Sequence, residues 1–231
     1  MEKGIFGGKS KALSFSFDDG VSEDARVIEI MNKYRLKGTF NLNSGCLTKT
    51  QTWTYKDKQV AHINYFDSPD LYNDHEIAAH SYTHPFPDLL VFTHDDIVNQ
   101  VKLDIKILEC LYNQKIEGFA YPMGTYNDDL IGILKENGIK YARTIESTNG
   151  FNLPQDPMLW HPTCHFLNDN IEELFEKFLE TDENSLFYIW GHAYELTCEA
   201  DFKRFEDLCK LISGREEIAY LTNIEIINAL S

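Results

Sequence analysis

Strand-like and helix-like segments alternate along the chain. Lys11–Phe17, with the sequence KALSFSF, has the pattern of a strand, and Ser22–Lys37 carries apolar residues at helical spacing. Ser22 is followed by two acidic residues, which is typical of a helix start. The same reasoning predicts further strands at Gly38–Leu42, Glu76–His80, Gly118–Tyr121, Ile139–Thr144, Ser185–Trp190 and Glu217–Tyr220, and further helices at Thr93–Asn113, Asp128–Asn137, Asn168–Thr181, Asp201–Ser213 and from Asn223 onward.

The repeated strand–helix units indicate an α/β fold in which helices cover a parallel sheet. Neither a linker rich in proline and glycine nor an internal repeat divides the sequence, so we expect one domain over residues 1–231. Ser44–Pro69 interrupts the alternation, which predicts an insertion or long loop over one face. Because chemistry in such sheets lies at the carboxyl ends of the strands, the residues that follow each strand are the candidates for a site.

The composition argues against several classes of function. Apolar residues make up 43% and aromatic residues 13% of the chain, which is ordinary for a folded protein. The formal net charge of −16 argues against binding to nucleic acid or to an anionic membrane. The sequence has no run of about 18 apolar residues, and its start lacks the apolar core of a signal peptide. Five scattered cysteines without a CxxC pair favour reduced thiols, so we expect a cytoplasmic protein.

Two carboxylates and a glycine, Asp18-Asp19-Gly20, follow the first predicted strand. Adjacent side chains of an extended chain point in different directions, so the two acids suit two roles, one on a metal and one on a proton. The alternative is structural, because Asp-Gly is also common in turns and aspartate caps helices.

Two histidines, His80 and His84, follow the third predicted strand with four-residue spacing. This spacing places two imidazoles on one face of a helical turn, where both can bind one Zn²⁺. The HExxH pattern is absent, because the residues between the histidines include no glutamate. A catalytic base must therefore come from elsewhere, and Asp18 or Asp19 is the obvious source.

Two later strand ends carry weaker signals. Tyr121–Tyr126 contains Pro-Met-Gly, a turn whose backbone N–H groups can act as oxyanion donors, although such a segment is more often only a turn. His192 closes the strand Ser185–Trp190 after Gly191 and can act as a general acid, with Glu195 near enough in sequence to orient it. The alternative for His192 is a structural histidine beneath a loop.

Together these segments resemble the polysaccharide deacetylase family, the NodB-type carbohydrate esterases of family 4. Ser16–Gly20 resembles the first motif of that family, and His80–His84 resembles the second. Pro122–Gly124 matches part of the third motif, and Ile189–His192 resembles the fifth. The fourth motif is diffuse, and Trp160–His165 is the segment that takes its place.

The resemblance covers nearly the whole chain and implies a distorted (β/α)7-type barrel, the NodB homology domain. It implies that Asp19, His80 and His84 bind one divalent metal. Two imidazoles and a carboxylate suit Zn²⁺ best, with Co²⁺, Ni²⁺ and Fe²⁺ as alternatives.

The resemblance also implies a reaction, the removal of an N- or O-linked acetyl group from a sugar or oligosaccharide. Asp18 would be the general base and His192 the general acid. Met123 and Tyr121 are assigned to the oxyanion and substrate side of the site, and Trp160 to the substrate side. Two other functions remain open: hydrolysis of a linear or cyclic amide that is not a sugar, and a weakened barrel that binds a glycan without turning it over.

One position departs from the family pattern. The third motif of the family begins with an arginine that steadies the catalytic aspartate, and this chain has Ala120 there. Among five arginines, Arg143 alone follows a predicted strand at the barrel mouth, so we expect it to replace the missing partner. Unchanged activity and an unchanged acid-side pH profile in Arg143→Ala would contradict this hypothesis.

The remaining aromatic and histidine residues have weaker signals. Each of the three tryptophans can stack on a sugar or pack in the core. His161 and His165 share the spacing of the first histidine pair, and we interpret them as structural or substrate-facing residues rather than as a second metal site. Three other histidines are assigned to the surface or to loops by default: His62, His75 and His94.

Overall fold

The predicted parallel sheet is present as one curled layer. The computed structural model describes residues 4–47 and 52–230. The strands in these residues are β1 (Lys11–Asp18), β2 (Gly38–Leu42), β3 (Thr52–Tyr55), β4 (Lys58–Ala61), β5 (Glu76–Ala79), β6 (Gly118–Ala120), β7 (Tyr141–Arg143), β8 (Cys164–His165), β9 (Ser185–Gly191) and β10 (Ile218–Tyr220). Eight of these described strands form the sheet, in the order β7-β6-β5-β2-β1-β9-β8 with β10 paired to the start of β1, and all of its pairings are parallel.

Helices cover the outer face of this sheet, as the apolar spacing predicts. They are α1 (Asp24–Lys33), α2 (His94–Tyr112), α3 (Asp128–Glu136), α4 (Ile171–Leu179), α5 (Glu199–Ile212) and α6 (Asn223–Ala229). The side chain of Thr93 caps α2, and Asn113 ends it in the left-handed conformation. The first helix is shorter than predicted because Arg35 has a φ of 56°. None of the helices in the described part of the chain combines the length and apolarity needed to cross a bilayer.

The two edge strands of the sheet, β7 and β8, do not pair with each other directly in the described structure. The segment that precedes β8 lies between them: Trp160 forms a parallel bridge to Arg143, and the N–H of Thr163 donates to the carbonyl of Tyr188 at 2.8 Å. This irregular seam makes the sheet a distorted barrel, as the family resemblance predicts.

Alternation along β1 separates a polar barrel interior from an apolar outer layer. Phe15 and Phe17 point outward and pack edge-to-face against Phe205 of α5, with ring centroids about 6 Å apart. Ser16 and Asp18 point inward, where both accept hydrogen bonds from side chains of other strands. The pattern KALSFSF is therefore a strand that is buried on both faces, with its polar positions facing the site.

The interruption predicted at 44–69 contains an antiparallel hairpin made of β3 and β4. Residues 48–51 of this segment lie outside the described residues. The hairpin packs on the turn between β1 and α1, where the N–H of Ser22 donates to the carbonyl of Ala61 at 2.9 Å and that of Ile63 donates to Gly20 at 2.9 Å. It therefore lies beside the carboxyl end of β1.

A carboxyl group, Glu76, is buried among polar groups in the β2, β5 and β7 region of the barrel. It accepts hydrogen bonds from the hydroxyls of Thr39 and Tyr141, each at 2.7 Å, and from the N–H of Ile224 at 2.8 Å. Burial raises the pKa of Glu76 to about 7 despite these donors. The network ties α6 to the sheet.

Glu76→Gln is expected to remove a pH dependence of stability. The folded-state pKa lies above the ordinary value of 4.5, so the folded protein binds the extra proton, and its free energy of unfolding falls as the pH rises through about 7. The wild type should lose about 1–3 kcal/mol over this window, and the variant much less. Urea unfolding at acidic and alkaline pH measures the difference, with the exposed Glu176→Gln as the control. A pH slope that persists in Glu76→Gln would assign it to another group.

Candidate active site

Asp19, His80 and His84 come together at the carboxyl ends of β1 and β5. Asp19 Oδ1 lies 3.5 Å from His80 Nε2 and 3.9 Å from His84 Nε2, and the three ligand atoms all lie within 4.8 Å of one another. Ligand atoms around a tetrahedral Zn²⁺, each about 2.0–2.1 Å from the ion, are about 3.3 Å apart. A carboxylate and two imidazoles at this spacing fit one divalent metal and leave coordination positions open.

The tautomer of His80 suits this role. Its Nδ1–H donates to the backbone carbonyl of Ala120 at 2.8 Å, which leaves the lone pair of Nε2 directed at Asp19 and His84. Burial lowers the pKa of His80 to about 4, so the imidazole is neutral at physiological pH, as a metal ligand must be.

A further carboxylate, Asp104 of α2, holds the backbone that carries these ligands. Its oxygens accept the N–H groups of His80 at 2.9 Å and of Ser44 at 2.7 Å. Asp104 was not among the residues predicted from the sequence. The signal was an acidic residue on a helix face whose other buried members are all apolar: Ile97, Val101, Ile105 and Leu108.

Asp18 is buried beside the three candidate ligands and is held by two donors. Nη2 of Arg143 donates to both carboxylate oxygens, 2.5 Å from Oδ1, and Asn41 Nδ2 donates to Oδ1 at 2.8 Å. Burial opposes ionisation, but the Arg143 guanidinium outweighs it and lowers the pKa of Asp18 to about 2. Asp18 is therefore a carboxylate with a fixed orientation.

The register of the sheet explains how Arg143 reaches Asp18. Arg143 is the direct partner of Ala120 across the β6–β7 pair, so it occupies the neighbouring position at the same edge of the barrel. Its side chain is fully buried, donates from Nε to Ser16 at 3.1 Å, and lies 4.8 Å from the ring of Trp190. Because the side chain of Ala120 is short, the guanidinium of Arg143 can occupy the barrel interior beside it.

His192 lies on the other side of Asp18, with its Nε2 3.9 Å from Asp18 Oδ2. Glu195 Oε2 accepts the backbone N–H of His192 at 3.0 Å and lies 3.4 Å from its Nδ1. Burial opposes protonation, but Glu195 together with Asp18 and Asp19 outweighs it and raises the pKa of His192 to about 9. His192 is therefore protonated near neutral pH.

His165 holds Glu195 in place. Its Nδ1 accepts the N–H of Leu167 at 3.1 Å, so the ring proton is on Nε2, which donates to Glu195 Oε2 at 2.9 Å. The pKa of Glu195 stays well below its usual range because the hydrogen bonds from the two histidines outweigh burial. His165 was predicted to be structural or substrate-facing, and the structure shows this contact to Glu195.

Met123 lies in a tight turn after β6. It has a φ of 56°, and the N–H of Gly124 closes the turn on the carbonyl of Tyr121 at 2.9 Å. The Met123 side chain is half exposed. The turn presents its backbone at the same barrel edge as Ala120, and Met123 stays the predicted oxyanion residue.

Two other residues predicted at the substrate side are placed elsewhere, and we correct their assignment. Tyr121 is 1% exposed; its hydroxyl donates to Met158 at 2.9 Å and its N–H to the carbonyl of Arg143 at 3.0 Å, so neither donor is left for a substrate. Trp160 is also 1% exposed and packs against Tyr141 and Tyr188 in the core. Both side chains are packed in the interior rather than presented at the carboxyl ends of β1 and β5.

Two of the histidines assigned to the surface or to loops, His62 and His75, lie in segments between strands, as that assignment allows, but their side chains are buried. The Nδ1–H of His62 donates to the backbone carbonyl of Asp19 at 2.9 Å. His75 packs against Phe40 and accepts the N–H of Gly38 at 3.2 Å. His94 is exposed as expected and pairs with Asp129.

Left-handed backbone is concentrated around the site. Nine non-glycine residues in the described chain have a positive φ, and four of them are Asp19 (78°), Ser81 (66°), His84 (46°) and Met123 (56°). Side chains make this conformation unfavourable by about 1 kcal/mol or more per residue. The left-handed backbone thus occurs at two candidate ligands, Asp19 and His84, and at the oxyanion turn of Met123.

The comparison with known protein families agrees with this geometry. The sequence model of the polysaccharide deacetylase family matches residues 7–142, more than half of the chain. No curated protein gives a significant sequence match.

Solved structures share the fold. A putative polysaccharide deacetylase from Mycobacterium smegmatis superposes with a TM-score of 0.62 at 17% identity, covering 96% of this chain and 90% of that one. The peptidoglycan deacetylase PdaC from Bacillus subtilis gives 0.61 at 13% identity, with 95% and 91% coverage. BA3943, a CE4 family pseudoenzyme from Bacillus anthracis, gives 0.60 at 16% identity; 94% of this chain is covered, but it spans only 65% of that protein.

The fold and the family match confirm the resemblance drawn from the motifs. The barrel is the one predicted, and the matched residues 7–142 include the segments of the first three motifs. This chain belongs to the polysaccharide deacetylase family.

Proposed function

We propose that this chain is a metal-dependent hydrolase that removes an acetyl group from an N-acetylated, or O-acetylated, sugar or oligosaccharide. The observation that carries the proposal is that Asp19, His80 and His84 lie beside two groups suited to proton transfer. One of these groups is deprotonated and the other is protonated. Asp18 is a fixed carboxylate, and His192 is protonated and 3.9 Å from it. A base and an acid with pKa values pushed apart are what amide hydrolysis needs.

Each group has a defined part in the proposed reaction. A divalent metal bound by Asp19, His80 and His84, Zn²⁺ by preference, would polarise the acetyl carbonyl and lower the pKa of water from 15.7 towards about 7. Asp18 accepts the proton of the attacking water. The backbone N–H of Met123 donates to the developing oxyanion. His192 donates its proton to the departing nitrogen or oxygen, while Glu195 holds the imidazole in position.

Acetate release from N-acetylated oligosaccharides, measured with added Zn²⁺ and with a chelator, tests the proposal. We expect release with the metal and none after chelation. Zn²⁺ binding without release from any acetylated sugar, ester or other amide would favour the alternative function, a barrel that binds a glycan without turnover. The structural similarity to a pseudoenzyme makes this arm of the test necessary, and the arrangement of Asp18 beside His192 is what favours the hydrolase.

Arg143→Ala is expected to lower both activity and stability. The substitution leaves the buried Asp18 carboxylate without its cation, which costs about 3–5 kcal/mol of unfolding free energy when a buried pair is broken. We expect kcat to fall by about 10–100-fold, the usual effect of losing a group that orients a catalytic one. Arg143→Lys restores the charge but not the planar fork, and should recover only part of the activity.

Steady-state kinetics at a temperature where the variants remain folded measures this effect, and the exposed Arg204→Ala serves as the control. Wild-type kcat in Arg143→Ala would show that Asp18 does not depend on this partner.

A further inference from the structure

Polar side chains occupy the barrel interior behind the candidate active site. The alternation along β1 places Ser14 and Ser16 on the same inward face as Asp18, and both serines are completely buried. Interior positions of a strand are usually apolar, and a buried hydroxyl normally has hydrogen-bond partners. The partners of these two serines connect Asp18 to the far end of the barrel.

Ser16 joins the two residues that hold Asp18. Its Oγ accepts hydrogen bonds from Nε of Arg143 at 3.1 Å and from Nδ2 of Asn41 at 2.8 Å. Arg143 and Asn41 are also the donors to the Asp18 carboxylate. Because these two bonds use both lone pairs of the Ser16 hydroxyl, its O–H is left to donate, and its partner is the hydroxyl of Tyr188.

Tyr188 is held in turn by the first residue of α6. Its side chain is buried, and its hydroxyl accepts a hydrogen bond from Nδ2 of Asn223 at 2.7 Å. Asn223 is completely buried and has two further bonds: its Oδ1 accepts from Ser14 at 2.7 Å, and its N–H donates to the hydroxyl of Thr39 at 3.0 Å. These bonds to β1 and β2 fix the Asn223 amide, and the amide fixes the Tyr188 hydroxyl.

The orientation of the Arg143 guanidinium depends on these partners. Its planar group makes three sets of bonds: Nη1 donates to the carbonyl of Thr144 at 2.9 Å, Nε donates to Ser16, and Nη2 donates to Asp18. Because the group is rigid, the bond at Nε helps to set the plane in which Nη2 meets the carboxylate. A serine hydroxyl can rotate, and the acceptor on Tyr188 keeps its hydrogen away from Nε.

We propose that Tyr188 and Asn223 are positioning residues for Asp18, which they reach through Ser16 and Arg143. We call these four residues, Asn223, Tyr188, Ser16 and Arg143, the polar relay. The inference rests on the proposed function, because it concerns the base of that reaction. It gives α6, which lies at the opposite end of the barrel from the candidate metal ligands, a part in setting the rate of turnover.

Steady-state kinetics of Tyr188→Phe tests the relay. The substitution removes the hydroxyl and keeps the ring, whose centroid lies 4.6 Å from that of Trp160. We expect kcat for an N-acetylated oligosaccharide to fall about 10-fold and KM to change by less than about 2-fold, because the base is misaligned while substrate binding is not altered. Asn223→Ala should act in the same direction. The double variant should be no more than about 2-fold slower than the slower single variant, since members of one network are not additive.

Tyr72→Phe is the matched control. Tyr72 is as deeply buried as Tyr188, and its hydroxyl donates to the carboxylate of Asp24 at 2.7 Å, outside the polar relay. The control therefore loses a buried tyrosine hydroxyl and its hydrogen bond, and it should keep the kcat and KM of the wild type. Urea unfolding of every variant sets an assay temperature at which all of them are folded.

A spectroscopic measurement follows the relay without any substrate. Arg143 is the one buried arginine among the five of the chain, so one arginine Nε–H signal in the ¹H–¹⁵N spectrum should exchange slowly with solvent and be absent from Arg143→Lys. Tyr188→Phe should speed this exchange by about 3–10-fold, the effect expected when one hydrogen bond of the network is lost. Tyr72→Phe should leave the exchange rate unchanged.

Two results would overturn the inference while the enzyme is active. One is wild-type kcat together with wild-type exchange of the Arg143 Nε–H in both Tyr188→Phe and Asn223→Ala. The other is a fall in kcat of the same size in Tyr72→Phe, which would show a general effect of lost stability. If the wild type releases no acetate from any substrate but Tyr188→Phe still speeds the exchange, the relay holds Arg143 as inferred and the hydrolase proposal fails.

Discussion

His84→Ala should abolish acetate release and strongly weaken Zn²⁺ binding. The substitution removes one of three candidate ligands, whose Nε2 lies 3.9 Å from Asp19 Oδ1. Loss of an outer-shell partner typically costs about 10–100-fold in metal affinity, and loss of a direct ligand should cost more. Because the His84 side chain is about one quarter exposed, its removal should leave the fold intact.

Competition with a chromogenic chelator measures the Zn²⁺ affinity, and acetate release measures the activity. His94→Ala, a histidine on the surface paired with Asp129, is the matched control and should behave as the wild type in both assays. Wild-type Zn²⁺ affinity in His84→Ala would remove His84 from the metal site.

Asp18→Asn is expected to separate metal binding from turnover. The asparagine has nearly the same shape as the aspartate but cannot accept the proton of water, and general bases contribute about 10²–10⁴-fold to rate. We therefore expect kcat to fall by that factor while the Zn²⁺ content stays that of the wild type. The effect should appear in kcat rather than in KM, because the acetyl group is bound by other residues.

Asp95→Asn, an exposed acid on α2, controls for the change of one charge. A protein that keeps full kcat after Asp18→Asn would need another base. Loss of Zn²⁺ together with activity would instead place Asp18 among the ligands.

Much of the fold could be predicted because it depends on local patterns. The strand KALSFSF and the capped helix that begins after Thr93 occur within a residue or two of their predicted bounds. The clustering of the candidate metal ligands could also be predicted, since Asp19 and the two histidines follow strands whose carboxyl ends meet at one edge. Arg143 was found by elimination, and only the sheet register shows that it faces Ala120.

The rest depends on contacts between distant segments. No spacing in the sequence links Asp104 to the backbone of His80, or His165 to Glu195, so their positioning contacts were not predicted. Trp160 was assigned to the substrate side because a tryptophan side chain suits both sugar stacking and core packing. Only its position in the seam of the barrel shows that it packs in the core. The hairpin after β2 carries neither a long apolar run nor a strong turn motif.

The left-handed backbone at positions 19, 81, 84 and 123 has a consequence for protein engineering. Glycine would adopt these angles without steric conflict, so selection for heat resistance alone should accept glycine there, and at positions 19 and 84 it would remove two candidate metal ligands. A thermostabilised variant of this barrel therefore has to be screened for turnover at every round, since substitutions that relieve backbone strain also remove candidate metal ligands.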